Sequence, residues 1–174
     1  MASIKLSDGR VFKYKVYPLY LGIKKIDREK AKENLLLLKK ITDKAGLKFA
    51  LAFGTALGAI REHNFIEHDE DIDLWVHYSD RDLLLSLLFE LRENGFEVAR
   101  WDRRGCLSII RNKEYIDLAI YYPDDRAEAI MSCCGDPMPR KYIEHWVKIP
   151  FLGDKFYIAR DWEEMMEFRY GKDW

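Results

Sequence analysis

At 174 residues, with 48% hydrophobic and 14% aromatic content, the chain is long and apolar enough for a single folded domain over 1–174, which excludes a disordered segment. A net charge of −1 provides no basic excess to hold nucleic acid, and the longest uncharged apolar run, FALAFGTALGAI (49–60), is too short to cross a bilayer. Three cysteines, Cys106 and the adjacent Cys133 and Cys134, make a poor disulfide framework; with no apolar leader in MASIKLSDGR, they point to a cytoplasmic setting.

The first residues, SIKL-SDGR-VFKYKV, predict a hairpin, because Ile4, Leu6, Phe12, Tyr14 and Val16 alternate with polar residues about Asp8-Gly9. A helix follows over Asp27–Ala45, with Asp27 as its cap, apolar residues at Leu35, Leu38 and Ile41, and Gly46 as its stop. Leu47–Phe53 is an apolar run interrupted by Lys48 alone and predicts a buried strand; Gly54-Thr55 breaks it, and TALGAIRE predicts a short helix. Asp71–His77 reads as a strand leaving a polar edge, and Asp80–Asn94 as one helix closed by Gly95. Three strands are predicted at 96–101, 106–111 and 114–122, turning at Arg103-Arg104-Gly105 and at Asn112-Lys113. Pro123–Arg140, with three prolines, reads as loop with a helical piece, and WVKIPFLGDKFYIA as a hairpin about Leu152–Asp154. The last helix is predicted to carry a capping box of Asp161 and Glu164 and to stop at Gly171. The order is mixed α and β, with helices packed on a central sheet.

The stretch HDEDIDLWV (68–76) crowds acids against the core, and six acids face one base between Arg61 and Asp73. Residues i and i+2 of a strand share a face, about 6.5–7 Å apart, so Asp71 and Asp73 point one way while Ile72 and Leu74 point into the core. Two such carboxylates can hold a divalent cation, yet a lone D-x-D is common on solvated strand edges. Asp117 adds to it: an acid inside the apolar run YIDLAIYY is costly unless partnered. Beside the Asp71–Asp73 strand it would complete a three-acid cluster whose repulsion calls for a cation; the alternative is an ion pair with an arginine such as Arg111. Gly54 and Thr55 sit at a strand-to-helix turn, where a backbone can approach a ligand and a helix N-terminus offers amides to a phosphate. Phosphate cradle, metal-holding acids and an extra carboxylate are the parts that phosphoryl or nucleotidyl transfer needs. Arg61, at the end of the short helix, is either a donor-phosphate contact or an ion-pair partner of Glu67 or Asp69.

FGTALGAIREHNFIEHDEDIDLWV (53–76) resembles the signature of the LicD and fukutin-related family, approximately FGTLLGAIR then FIPWDDDIDL, and the ending EFRYGKDW (167–174) is similar to its YG-x-DW element. Here Glu67-His68 replaces the usual Pro-Trp, and Glu70 the middle Asp. The resemblance implies a nucleotidyltransferase-like α/β fold. It further implies magnesium- or manganese-dependent transfer of a phospho-alcohol, such as phosphocholine or ribitol phosphate, from a CDP-activated donor to a sugar or glycan hydroxyl. By position it makes Asp71, Asp73 and Asp117 the metal ligands and catalytic acids, and Gly54 and Thr55 the donor-phosphate contacts. The chain stops at Trp174, shorter than many relatives, so an acceptor-binding part is expected either to be missing or to be supplied by a protein partner. Two other functions fit the same residues: an NTP-dependent nucleotidyltransferase acting on a small molecule, and a non-catalytic domain binding a nucleotide or a protein.

Overall fold

The computed structural model describes residues 1–19 and 24–174. Strands β1 (Ala2–Lys5) and β2 (Val11–Tyr14) form the expected hairpin as a separate two-stranded sheet. Its fully buried Phe12 packs edge-on against Phe89 and lies under the Arg92 guanidinium. Helix α1 (Arg28–Ala45) starts where Asp27 accepts the Lys30 amide and ends at Gly46, whose φ of 76° puts it in the left-handed region.

Next come β3 (Phe49–Leu51), α2 (Phe53–Arg61) and β4 (Ile72–His77), and then a 3-10 turn over Tyr78–Asp80. The single helix expected over Asp80–Asn94 is instead two, α3 (Arg81–Ser86) and α4 (Leu88–Glu93). The Ser86 hydroxyl donates to the Leu83 carbonyl at 2.6 Å, a local bond that competes with the helical ladder where the break falls. Strands β5 (Glu97–Asp102), β6 (Cys106–Arg111) and β7 (Glu114–Asp124) lie where expected. The Asn112-Lys113 turn between the last two takes positive φ at both residues, as the twist of a tight hairpin requires.

Pro123–Arg140 is not loop. β7 runs on to Asp124 and is followed by β8 (Ala127–Cys133) and β9 (Asp136–Pro139), with only α5 (Arg140–Glu144) supplying the helical piece. Pro123 sits where the β7–β8 register shifts, and Pro137 and Pro139 lie on β9 at the end of the sheet, positions where a missing amide costs no ladder bond. The hairpin β10 (Trp146–Phe151) and β11 (Asp154–Ala159) turns at Leu152-Gly153. The last helix, α6 (Trp162–Tyr170), lacks the predicted capping box: Asp161 makes no cap bond, and Glu164 instead accepts from Lys141 Nζ and Tyr142 Oη.

Among the described residues, nine strands form the main sheet in the order β10-β11-β3-β4-β7-β6-β5, with β8 and β9 continuing from β7. β4 and β7 run parallel at its centre, and β3 is antiparallel to β4. Ile72, Leu74, Val76, Ile116, Leu118 and Ile120 are fully buried on one face, and α1 packs against β7. The other face carries Trp75 and Tyr121, at most 1% exposed, so the central strands are covered on both sides. Among the described residues, no helix is long and apolar enough to cross a membrane.

Candidate active site

The sheet registers decide which polar side chains meet. Asp73 on β4 lies directly beside Asp117 on β7, Asp117 beside Ser108 on β6, and Ser108 beside Arg100 on β5. Cross-strand partners share a face, so these four form one polar row across four strands. Asp71, two residues before Asp73, joins its end: oxygens of Asp71, Asp73 and Asp117 all lie within 4.8 Å of one another.

Three carboxylates this close, on a largely covered face, repel one another. Burial pushes the Asp73 carboxyl well above the ordinary carboxylate value; Asp71, Asp117 and Asp69 add to the shift, and the positive charge of Arg169 opposes it. The donor set is all carboxylate oxygen, hard and anionic, which suits magnesium or manganese rather than a soft, thiolate-loving metal. On chemistry and spacing the residues fit a divalent cation.

Arg100 meets the row from the far side. Its Nη2 donates to Asp117 Oδ2 at 3.3 Å and to Cys106 Sγ at 3.0 Å, and its Nε to the fully buried Ser108 hydroxyl at 3.1 Å. The arginine beside Asp117 is thus Arg100 and not Arg111, which is held by Glu33 and Asn34. Arg100 brings a cation to the edge of the acids while keeping 40% of its side chain exposed.

The two glycines of FGTALGAIR are both points of close approach. A Cβ on Gly54 would stand 2.5 Å from Asp69 Oδ2, and one on Gly58 2.5 Å from the Asn64 carbonyl oxygen. The segment after α2 folds back along this glycine-bearing face, so the halves of the sequence signature pack on each other. Gly54 therefore faces the Asp69 carboxylate in this structure, and the place expected for a donor phosphate holds an acid near a helix N-terminus. Burial raises the Asp69 carboxyl, with Glu62 and Glu70 contributing.

Thr55 also differs from expectation. It is fully buried, and its hydroxyl oxygen accepts the Asp73 amide at 2.9 Å, which ties α2 to β4 just where the acids project. In this structure the side chain therefore positions Asp73. Thr55→Val, the same shape without the acceptor, is expected to cost about 1–3 kcal/mol in urea unfolding by leaving a buried amide unmatched. Thr55→Ser should retain the acceptor and most of that stability; equal losses in the two variants would mean the bond is not what the threonine supplies.

Arg61 pairs with neither Glu67 nor Asp69. Its Nη2 meets the adjacent Glu62 at 3.1 Å, and the side chain is 46% exposed, so it is not drawn into the acid cluster. Glu67 pairs instead with Lys25, and His68 is exposed.

The C-terminal helix supplies residues to which sequence reasoning gave no role. Arg169 lies 4.5 Å over the Phe53 ring and bonds Asp136 at 3.2 Å, and Asp136 in turn accepts from Tyr121 Oη at 2.5 Å. Phe53, at a positive φ of 45°, packs edge-on against Trp75, so α6, α2 and β4 lock together beside the acids. Burial raises the Tyr170 hydroxyl, and the negative charges of Asp73 and Asp69 raise it further. The likeness of EFRYGKDW to a family element was the available signal, although it named no task for either residue.

Comparisons with known proteins follow the same lines. The family described as LicD/FKTN/FKRP, nucleotidyltransferase domain, matches residues 46–159. Ribitol-5-phosphate transferase FKTN of Macaca fascicularis is 38% identical over 156 residues, 84% of this chain and 33% of the relative. An uncharacterized protein of Rickettsia typhi is 23% identical over 124 residues, 70% of this chain and 36% of the relative. The chain thus spans about a third of the length of these curated relatives. Among solved structures, the lincomycin-bound lincosamide antibiotic adenylyltransferase LnuA matches with a TM-score of 0.56 at 10% identity, covering 81% of this chain and 86% of that one. ANT(2")-Ia in complex with adenylyl-2"-tobramycin matches with a TM-score of 0.51 at 18% identity, covering 82% and 81%. At such identities the likeness establishes a nucleotidyltransferase fold and nothing finer.

Proposed function

The chain belongs to the LicD/FKTN/FKRP family, and from that premise we propose that it transfers a phospho-alcohol from a CDP-activated donor to a sugar or glycan hydroxyl. The observation that carries this is the parallel β4–β7 register, which sets Asp73 beside Asp117 and gathers three carboxylates within 4.8 Å. Asp71, Asp73 and Asp117 would hold a divalent cation, magnesium or manganese, which when bound offsets the charge of the donor diphosphate and of the departing nucleotide.

The chain's own residues would do the rest. The acceptor oxygen attacks the phosphorus that carries the alcohol, the bond from that phosphorus to the bridging oxygen breaks, and CMP leaves with the bridging oxygen. Asp117 takes the hydroxyl proton, and Arg100, bonded to Asp117, holds the carboxylate oriented for that task. Arg100, bonded to Asp117, and Arg169, whose charge reaches Asp73, would serve as cations for donor phosphates. The relative named ribitol-5-phosphate transferase FKTN makes a polyol phosphate the first donor group to try.

A second reading, NTP-dependent nucleotidyl transfer to a small molecule, is favoured by the adenylyltransferase fold of the structural neighbours. Thermal stabilisation with magnesium separates the two, since a ligand binding only the folded state at a hundred times its Kd adds about 2.7 kcal/mol. CDP-ribitol or CDP-choline is expected to raise the melting temperature in a metal-dependent manner and to release CMP on turnover. A shift with ATP or CTP alone would move the assignment to nucleotidyl transfer. Silence from every nucleotide would leave a non-catalytic binding domain.

A further inference from the structure

At the opposite end of β3 from the acids lies a cleft of about 730 Å³, counting the space open to solvent. β3 enters the sheet there at Phe49, and Ala52, whose amide bonds the Asp73 carbonyl, lies at the other end of the strand. Three exposed lysines line the cleft, each from a different segment: Lys48 before β3, Lys148 on β10 and Lys155 on β11. None of the three pairs with a carboxylate among the described residues. The Lys48 and Lys148 ammonium groups sit 5.6 and 5.3 Å from the centroid of one ring, that of Tyr157. Lys148 is the cross-strand partner of Tyr157 and Lys155 that of Pro150, so the sheet itself fixes their convergence. The acid in the cleft, Asp43, is taken by Lys39 at 2.7 Å, and Lys39 also lies 3.6 Å from Asp154 just outside. The concavity is thus positive in a chain whose net charge is −1.

We infer that this cleft is a second ligand site, which binds a phosphate ester of a polyol or sugar through Lys48, Lys148 and Lys155. Lysine ammonium groups bind phosphate as point charges and adapt on flexible stems. The half-buried Tyr157 ring, with Leu47 and Phe49 behind it, offers the carbon skeleton an apolar wall. A nucleotide is the poorer fit, because a base stacking on Tyr157 would have to displace an ammonium already over that ring. The phosphate ester has two sources, a soluble polyol phosphate or the headgroup of a phospholipid.

The test is run in chelator, so that the transferase assignment can fail without affecting it. Titrating ¹⁵N-labelled protein with glycerol 3-phosphate is expected to shift the amides of residues 46–49, 148 and 155–157. The doubly substituted Lys48→Gln/Lys148→Gln protein should bind about tenfold or more weakly, and Asp73→Asn should bind as the wild type does. A soluble source is supported by that result. Binding only to phosphatidylcholine vesicles containing phosphatidic acid, lost in the double variant, supports a lipid headgroup. Shifts confined to the acid cluster, binding undiminished in the double variant, or no binding to either probe would overturn the site. Because the wild-type shifts locate the ligand without any substitution, a variant that folds poorly leaves the test intact.

Discussion

Asp73→Asn is expected to reduce transfer by about a thousandfold or more while raising the melting temperature of the metal-free protein. Both effects come from one carboxylate. Asp73 is desolvated and crowded by Asp71, Asp117 and Asp69, so its charge destabilises the empty fold. On the proposed function the same crowding would draw a cation, and removing one of three candidate ligands would remove the means of offsetting charge on the donor diphosphate. The sign of the pH dependence follows. A carboxyl whose folded pKa lies above its unfolded one contributes stability below the unfolded value, which is lost as pH rises through the folded value. Metal-free protein should therefore lose stability as pH climbs from about 3.8, the ordinary carboxylate value, through the elevated value of Asp73. Asp73→Asn should flatten that slope, and magnesium should flatten it in the wild type. Urea unfolding across pH in chelator measures this directly. A variant less stable than wild type, with the slope intact, would show that Asp73 is not the strained member of the cluster.

Gly58→Ala should destabilise the fold by about 1–3 kcal/mol and unseat the acid-bearing loop. Helix propensity alone argues the other way, since alanine in a helix is favoured over glycine by roughly 1 kcal/mol. Overpacking wins because the added Cβ would meet backbone, with the Asn64 oxygen at 2.5 Å and the Ile66 nitrogen at 3.1 Å, and neither can swing aside. That backbone leads directly to Asp69 and Asp71, so transfer should fall together with stability. Gly54→Ala is the instructive contrast. Its Cβ would meet the end of the Asp69 side chain, which can rotate, so its stability should stay within about 1 kcal/mol of wild type. Its activity should nonetheless drop, since Asp69 would be driven from the helix N-terminus and toward the other acids. Denaturant melts and CMP release on both variants check the pair; a Gly58→Ala protein more stable than wild type would mean the loop does not rest on α2.

Local chemistry made a large part of this molecule legible in its sequence. The Asp27 cap and Gly46 stop of α1, the hairpins around Asp8-Gly9 and Leu152-Gly153, and the alternation that turns Asp71 and Asp73 away from Ile72 and Leu74 are each written within a few neighbouring residues. A buried acid in YIDLAIYY and a glycine-bearing turn before a D-x-D strand could be picked out for the same reason. Prolines misled over Pro123–Arg140, because residue type reports a missing amide but not whether the position is an edge or a register shift, where the loss costs nothing.

What only the tertiary structure decided are the meetings across long separations. Periodicity fixes the face on which a side chain lies; it does not fix the neighbouring strand or its register, which depend on how the whole sheet buries its apolar faces. The direct pairing of Asp73 with Asp117 is of that kind, as are the choice of Arg100 over Arg111 beside Asp117 and the arrival of Arg169 and Tyr170 next to Asp73. So is the placing of Asp69 against Gly54, which makes the glycine of the signature a seat for an acid. The sequence by itself determined which residues carry charge toward a common end of the sheet. Packing determined which of them touch, because charges this costly to bury are tolerated only where the surrounding core leaves them no other place.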